Sequence, residues 1–185
     1  PMLFKLGVGF VVAGVAFKFG AAPFHMWLPD VYQGAPTAVT AYIASAPKMA
    51  AFAMAYRLLE SAAGNSMADW VPLIAILSAL SLVLGNLMAL VQSSFKRLLA
   101  YSTISHVGFL FLGLLSADAS GYAAAMFYAI SYAITAVAAF GSLILLSHAG
   151  YDADDIDGFR GLWVWHPGYA FLILFVVASL AGVPP

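Results

Sequence analysis

The stretch Phe17-Lys18-Phe19-Gly20-Ala21-Ala22-Pro23-Phe24-His25-Met26-Trp27-Leu28-Pro29-Asp30-Val31-Tyr32-Gln33-Gly34-Ala35-Pro36 follows an apolar run that begins near Leu3. The run is long enough for a bilayer span, yet its end breaks helix rules. Pro23 deletes a backbone donor and clashes with the preceding turn, so the helix must kink or stop there. Lipid cannot satisfy the freed carbonyls, which leaves protein or water to do so. Lys18, a charge deep in an apolar segment, stands just before this break. A mid-bilayer lysine costs about 2.5–3.5 kcal/mol on insertion scales and marks a functional position by default.

The rest of the chain is written for the same solvent. Hydrophobic residues make up 64% and charged residues 8% of the 185 positions, with a mean hydropathy of +0.97. Soluble domains carry about 25% charged residues, so seven basic and eight acidic groups are too few to cover a wet surface of ordinary size. A net charge of −1 argues against a nucleic-acid partner, and the absence of cysteine excludes disulfides and thiolate metal or iron–sulfur sites. With no initiator Met or signal-peptide pattern, and with Val183-Pro184-Pro185 closing inside an apolar run, the chain reads as an internal segment of a longer protein.

Apolar runs of spanning length predict an all-α fold, a polytopic transmembrane helix bundle with broken helices. The expected spans are 3–33 (broken near 19–23), 36–59, 70–92, 98–117, 121–148 and 166–185, all in one transmembrane region over 1–185. The last is interrupted at Ala181-Gly182-Val183-Pro184-Pro185, repeating the device of the first. Discontinuous helices at corresponding positions in two halves point to transport sites, although membrane helices also tolerate kinks. With alternating spans, Lys96, Arg97 and Arg160 share one side and Lys5 and Arg57 the other. The positive-inside rule then puts the Lys96-Arg97 turn and the 149–165 loop in the cytoplasm.

Lys48, preceded by Ala46-Pro47, lies near the centre of the second span. Desolvation disfavours an ammonium and a nearby carboxylate favours it, so a buried lysine becomes a proton carrier when a partner charge moves. Mid-span acids are lacking: Asp30, Glu60, Asp69 and Asp118 all fall near segment ends. The bland alternative is that Lys18 and Lys48 only line a water-filled cavity. His106, beside Ser102, Thr103 and Ser105, reads as a polar stripe able to relay protons, or as a satisfied structural histidine. His25 reads as interfacial or structural, and His148 and His166 as wet. Lys5 reads as snorkelling, Lys96-Arg97 as a topology anchor, and Asp152, Asp154, Asp155 and Asp157 as a solvated loop. Phe159 to Trp165 suits a membrane interface, and the other aromatics suit packing and interface belts.

The run from Phe17 to Pro36 resembles the subunit N family of bacterial respiratory complex I, the NADH:quinone oxidoreductase. So do Ser45-Ala46-Pro47-Lys48, Gly85-Asn86-Leu87-Met88-Ala89-Leu90, and Phe95-Lys96-Arg97-Leu98-Leu99-Ala100-Tyr101-Ser102-Thr103-Ile104-Ser105-His106-Val107-Gly108. The resemblance covers nearly the whole chain. Related antiporter-like subunits share the Phe-His-x-Trp-Leu-Pro-Asp core and usually differ after it.

The resemblance implies two inverted helix repeats, each with a broken helix. Lys18 would be the lysine beside the first break, Lys48 the lysine on the following helix, and His106 part of a central polar axis. A partner glutamate is implied before Pro1 and a terminal basic residue after Pro185. The implied function is proton translocation in a bacterial inner membrane, coupled to NADH oxidation and quinone reduction elsewhere in the complex. NADH, FMN, iron–sulfur clusters and quinone belong to other subunits; this chain is expected to hold no cofactor or metal and to perform no redox chemistry itself. Its expected partners are the bilayer, protons and other membrane subunits, including neighbouring antiporter-like ones. Two other readings share much of this pattern. A cation/proton antiporter subunit predicts sodium-dependent exchange without quinone reductase activity, and a structural membrane subunit predicts that Met replaces either lysine without loss of transport.

Overall fold

The computed structural model describes residues 2–148, 150 and 154–183. These are almost entirely helical: α1 (Met2–Phe19), α2 (Trp27–Gly34), α3 (Thr37–Ala44), α4 (Ala46–Tyr56), α5 (Met67–Ala89), α6 (Phe95–Leu115), α7 (Ala119–His148), α8 (Leu162–Trp165) and α9 (Pro167–Leu180). A wider π-helical turn, Arg57–Ala62, follows α4. Helices α1, α5, α6 and α7 are long and apolar enough to cross a membrane. Helical structure is what lipid demands, since each segment then satisfies its own backbone. The chain is a multi-pass membrane helix bundle.

The first break is a specific helix terminus. Gly20 N–H donates to Phe17 O at 3.0 Å and Ala21 N–H to Ala16 O at 2.9 Å, the paired bonds of a Schellman cap, with Gly20 at φ +75°. A Cβ on Gly20 would stand 2.7 Å from Leu28 Cδ1, so neither the backbone nor the space suits a larger residue. Helix α9 ends the same way. Gly182, at φ +88°, donates to Ser179 O at 3.1 Å, and Val183 donates to Ala178 O at 3.0 Å. The two prolines expected to enforce this second stop, Pro184 and Pro185, lie outside the described residues, as does Asp152 of the acidic loop.

Polar groups freed by the first break find partners on other elements. Ala22 N–H donates to the hydroxyl of Ser81 on α5 at 2.9 Å, and both residues are fully buried. Trp27 Nε1 reaches back to Phe17 O at 3.1 Å, tying α2 to the end of α1. The break separates two apolar cores. One gathers Val12, Val15 and Phe19 of α1 with Phe52, Trp70, Ile74 and Phe111. The other gathers Leu28 and Tyr32 of α2 with Leu99, Ile104, Phe140 and Leu143.

The segment 36–59, read as one span, is two helices joined at Ser45 (φ −111°, ψ −86°). Pro47 explains the interruption, because it offers no N–H to the carbonyl four residues earlier. Ser45 bridges the gap, its hydroxyl donating to Ala41 O at 2.7 Å and within reach of Tyr42 O at 3.2 Å. Pro72, by contrast, lies inside α5 without ending it.

Helices α5 and α6 pack most intimately, through small residues. A Cβ on Gly85 would lie 2.6 Å from the Ser105 backbone nitrogen. Ser78 Oγ donates to Gly108 O at 2.7 Å, and Asn86 Nδ2 donates to Ser105 Oγ at 3.0 Å. Between membrane helices, where apolar contact gains nothing over lipid, close approach and hydrogen bonding hold the pair. Lys5 pairs with Asp69 at 2.9 Å at one end of the bundle, and Arg97 with Asp30 at 2.8 Å at the other. Both pairs are too exposed to be worth more than about 1 kcal/mol. Leu162 is buried while Trp163, Val164 and Trp165 are 66–75% exposed, the form of an interfacial helix.

Two outcomes test this packing. Ser81→Ala orphans the buried Ala22 N–H and should cost about 1–3 kcal/mol, read as a lower unfolding midpoint of the detergent-purified protein; Ser142→Ala, whose hydroxyl among the described residues bonds to Ala139 O of its own helix, should change it far less. Gly85→Val places two methyl groups against the α6 backbone, and destabilisation of about 1–3 kcal/mol or more is expected, visible as reduced accumulation in the membrane.

Candidate functional site

Lys48 opens α4 just after the Pro47 interruption and is 4% exposed. Its Nζ donates to the carbonyl of Phe19, the last residue of α1. The negative end of a helix dipole suits an ammonium, and this carbonyl has lost its helical N–H partner to the break. Lys48 is thus the side-chain cap of the broken helix.

Lys18 differs from its sequence reading as a buried group. The buried face of α1 carries Val8, Val12, Val15, Ala16 and Phe19, and at 3.6 residues per turn Lys18 falls outside that face. It is exposed, alongside Phe17 and Gly14. Lys18 nevertheless lies within electrostatic reach of Lys48. Among the described residues no carboxylate forms an ion pair with either lysine; the ion pairs belong to Lys5, Arg97 and Arg160.

Lys48 and His106 line one small void, together with Phe19, Val107, Leu110, Tyr128, Ala129 and Tyr132. Its volume is about 10 Å³ and its wall is apolar. His106 also borders a larger cavity of about 680 Å³ that runs between α6, α7 and the end of α9, past Ser131, Thr135, Ser179 and Gly182. His106 therefore stands between the lysine at the first break and the glycine at the second.

The polar residues around His106 do not form one stripe. Ser105 turns to Asn86 on α5, whereas Thr103 and His106 turn to α7. His106 Nδ1 lies 2.6 Å from the Tyr128 hydroxyl, and its ring packs against Tyr132 with centroids 4.6 Å apart. Tyr132 Oη lies 2.7 Å from Thr103 Oγ1, whose hydroxyl donates to Leu99 O at 2.8 Å. By sequence alone Tyr128 and Tyr132 read as packing aromatics. The signal that finds them is Tyr128, Ser131, Tyr132 and Thr135, polar hydroxyls at helical spacing inside an apolar segment.

His25 sits in the break, partly buried, with its Nδ1 enclosed and its ring 6.5 Å from that of Tyr101. His148 and His166 are exposed. Arg97, read from the sequence as a topology anchor, donates to Asp30 Oδ1 at 2.8 Å, Gln33 Oε1 at 3.0 Å and Gln92 Oε1 at 3.3 Å, fastening α2 to the α5–α6 turn. In the acidic loop, Asp154 accepts from Ser94 and Asp157 pairs with Arg160.

Comparison with known proteins agrees with this architecture. The chain is 58% identical over 183 residues to NADH-quinone oxidoreductase subunit N of Xanthomonas euvesicatoria pv. vesicatoria, covering 99% of this chain and 38% of the relative. The subunit N of Laribacter hongkongensis is 54% identical with the same coverage. The chain thus spans about two-fifths of the length of these relatives. Among solved structures, respiratory complex I from Thermus thermophilus superposes with a TM-score of 0.81 at 38% identity, over 99% of this chain and 39% of that one. An Mrp complex from Dietzia sp. shares the fold, with a TM-score of 0.84 at 23% identity over 100% of this chain and 34% of that one. The family model described as NADH:quinone oxidoreductase/Mrp antiporter, TM matches residues 2–185, and the chain belongs to that family.

Proposed function

We propose that this chain is the proton-handling region of a membrane subunit of an NADH:quinone oxidoreductase, with Lys18, Lys48 and His106 in its path. The observation that carries this reading is Lys48 itself: a buried lysine, tied to the carbonyl end of a broken helix, with its side chain on the wall of the same small apolar void as His106.

Each residue has a role in this reading. The Phe19 carbonyl, at the negative end of the α1 dipole, gives the Lys48 ammonium a partner inside the bundle. His106, whose Nδ1 is oriented by Tyr128, borders the same small void as Lys48 and is the next station of the path. His106 passes the proton into the larger cavity leading to the α9 break. The exposed face of α1 around Lys18 meets another part of the subunit, which supplies the carboxylate that holds the Lys18 ammonium.

The outward apolar side chains, among them Phe10, Phe17, Leu87, Phe127 and Leu174, face lipid or neighbouring membrane subunits, including antiporter-like ones. Redox cofactors, NADH and quinone bind elsewhere in the complex. The membrane is the bacterial inner membrane, with the Lys96-Arg97 turn and the 149–165 loop on the cytoplasmic side.

Lys48→Met and Lys18→Met, made separately in the full-length subunit of the assembled complex, test the reading in inverted membrane vesicles. Each should lower NADH-driven proton uptake per NADH oxidised by roughly twofold or more, as expected for loss of an ionisable station inside a membrane. Assembly should be retained, as judged on native gels. Full proton yield in both variants would overturn the proposal, and sodium-dependent exchange in place of quinone-linked uptake would identify a cation/proton antiporter instead.

A further inference from the structure

Lys48 is held from two sides. Its Nζ donates to the carbonyl of Phe19 at the end of α1, and its backbone N–H donates to Ser45 O at 3.0 Å, in the turn where α3 gives way to α4. Two interruptions of membrane helices therefore meet at one residue. Both also mark a crossing between the two apolar cores. Helix α1 ends at Phe19 in the first core and α2 continues with Leu28 and Tyr32 in the second; α3 ends at Ala44 in the second and α4 continues with Ala51 and Phe52 in the first. Where the Lys48 ammonium comes to lie thus depends on the geometry of the α3–α4 turn.

That turn is tighter than a helix. In a regular α-helix the Ser45 N–H would donate to Ala41 O, four residues back. It donates instead to Tyr42 O, three residues back, at 3.2 Å, and the Ser45 hydroxyl takes its place at Ala41 O, donating at 2.7 Å. At membrane depth an abandoned carbonyl has no lipid partner, and the hydroxyl is the group that meets this one. A serine bonded back to the carbonyl four residues earlier bends helices. The proline two positions on does not suffice by itself, because Pro72 lies inside α5 and that helix runs on to Ala89.

We infer that Ser45 is a positioning residue for Lys48: by occupying Ala41 O, its hydroxyl keeps the α3–α4 turn tight and aims the Lys48 ammonium at the end of α1. Without the hydroxyl, Ala41 O draws the Ser45 N–H back from Tyr42 O and the turn relaxes toward a regular helix. Lys48, three residues on, then rotates with the first turn of α4 away from Phe19 O. Ser45 lines neither the small void nor the larger cavity, so it is no station itself. It acts through Lys48, and this role therefore rests on the reading of Lys48 as a station of the proton path.

Ser45→Ala in the full-length subunit of the assembled complex is the test, read as protons taken up per NADH oxidised in inverted vesicles. The yield should fall roughly twofold, the size expected for loss of Lys48 itself. Ser45→Thr keeps a hydroxyl that bonds back in the same way and should restore the yield; an equal loss in both variants overturns the inference, as does full yield in Ser45→Ala. Ser45→Ala added to Lys48→Met should cost nothing further, because a residue that acts only through Lys48 has no target left. A further loss in that background makes the serine a general packing residue and also overturns the inference. Should Ser45→Ala fail to assemble, Ser45→Cys, whose thiol is a weak donor, takes its place in the same comparison. Lys48→Met alone separates the two levels. Loss there with full yield in Ser45→Ala removes the positioning role alone, whereas full yield in Lys48→Met removes the path beneath it.

Discussion

At membrane depth a backbone carbonyl or N–H has no water to turn to, and the end of α1 frees several of them at once. Everything around the break answers that constraint. The Schellman turn at Gly20 recovers Phe17 O and Ala16 O within the helix end itself. Ser81 from α5 takes the Ala22 N–H, Trp27 from α2 returns to Phe17 O, and Lys48 from α4 caps Phe19 O. Three other helices are thereby fixed against one interruption, and an ammonium is placed where a helix dipole favours it.

The packing makes such partners possible. Serines and glycines on α5 and α6 bring those helices close enough for Ser78 to reach Gly108 O and for Gly85 to lie on the Ser105 backbone. The same face presents Ser81 to the break. Along α7 the buried side chains are largely alanines, Ala125, Ala129, Ala133, Ala136 and Ala139, which let α7 approach its neighbours. Tyr128 and Tyr132 flank this small-residue strip and meet His106 and Thr103 from the opposite helix. Two apolar cores, one on each half of the broken helix, hold the halves independently.

How much was legible beforehand differs from residue to residue. The break at Gly20 to Pro23 was readable because proline and glycine act on their own backbone, whatever surrounds them. Lys48 was readable as a costly charge in an apolar run, but its acceptor, Phe19 O, is twenty-nine positions away and exists only because α1 stops there. Lys18 looked equivalent to Lys48 in one dimension, yet the face it occupies is set by which helices pack on α1. The stripe around His106 dissolved for the same reason: neighbouring positions on a helix point different ways, and only the neighbours decide which of them meet.

By itself the sequence determined the solvent, the helical class and the places where helices stop, since hydropathy over a span and backbone chemistry at Gly and Pro are local properties. Tertiary structure alone decided which polar groups pair and which lysine is enclosed. Those outcomes depend on side-chain direction across helix contacts between residues distant in the chain, and no local pattern carries that information.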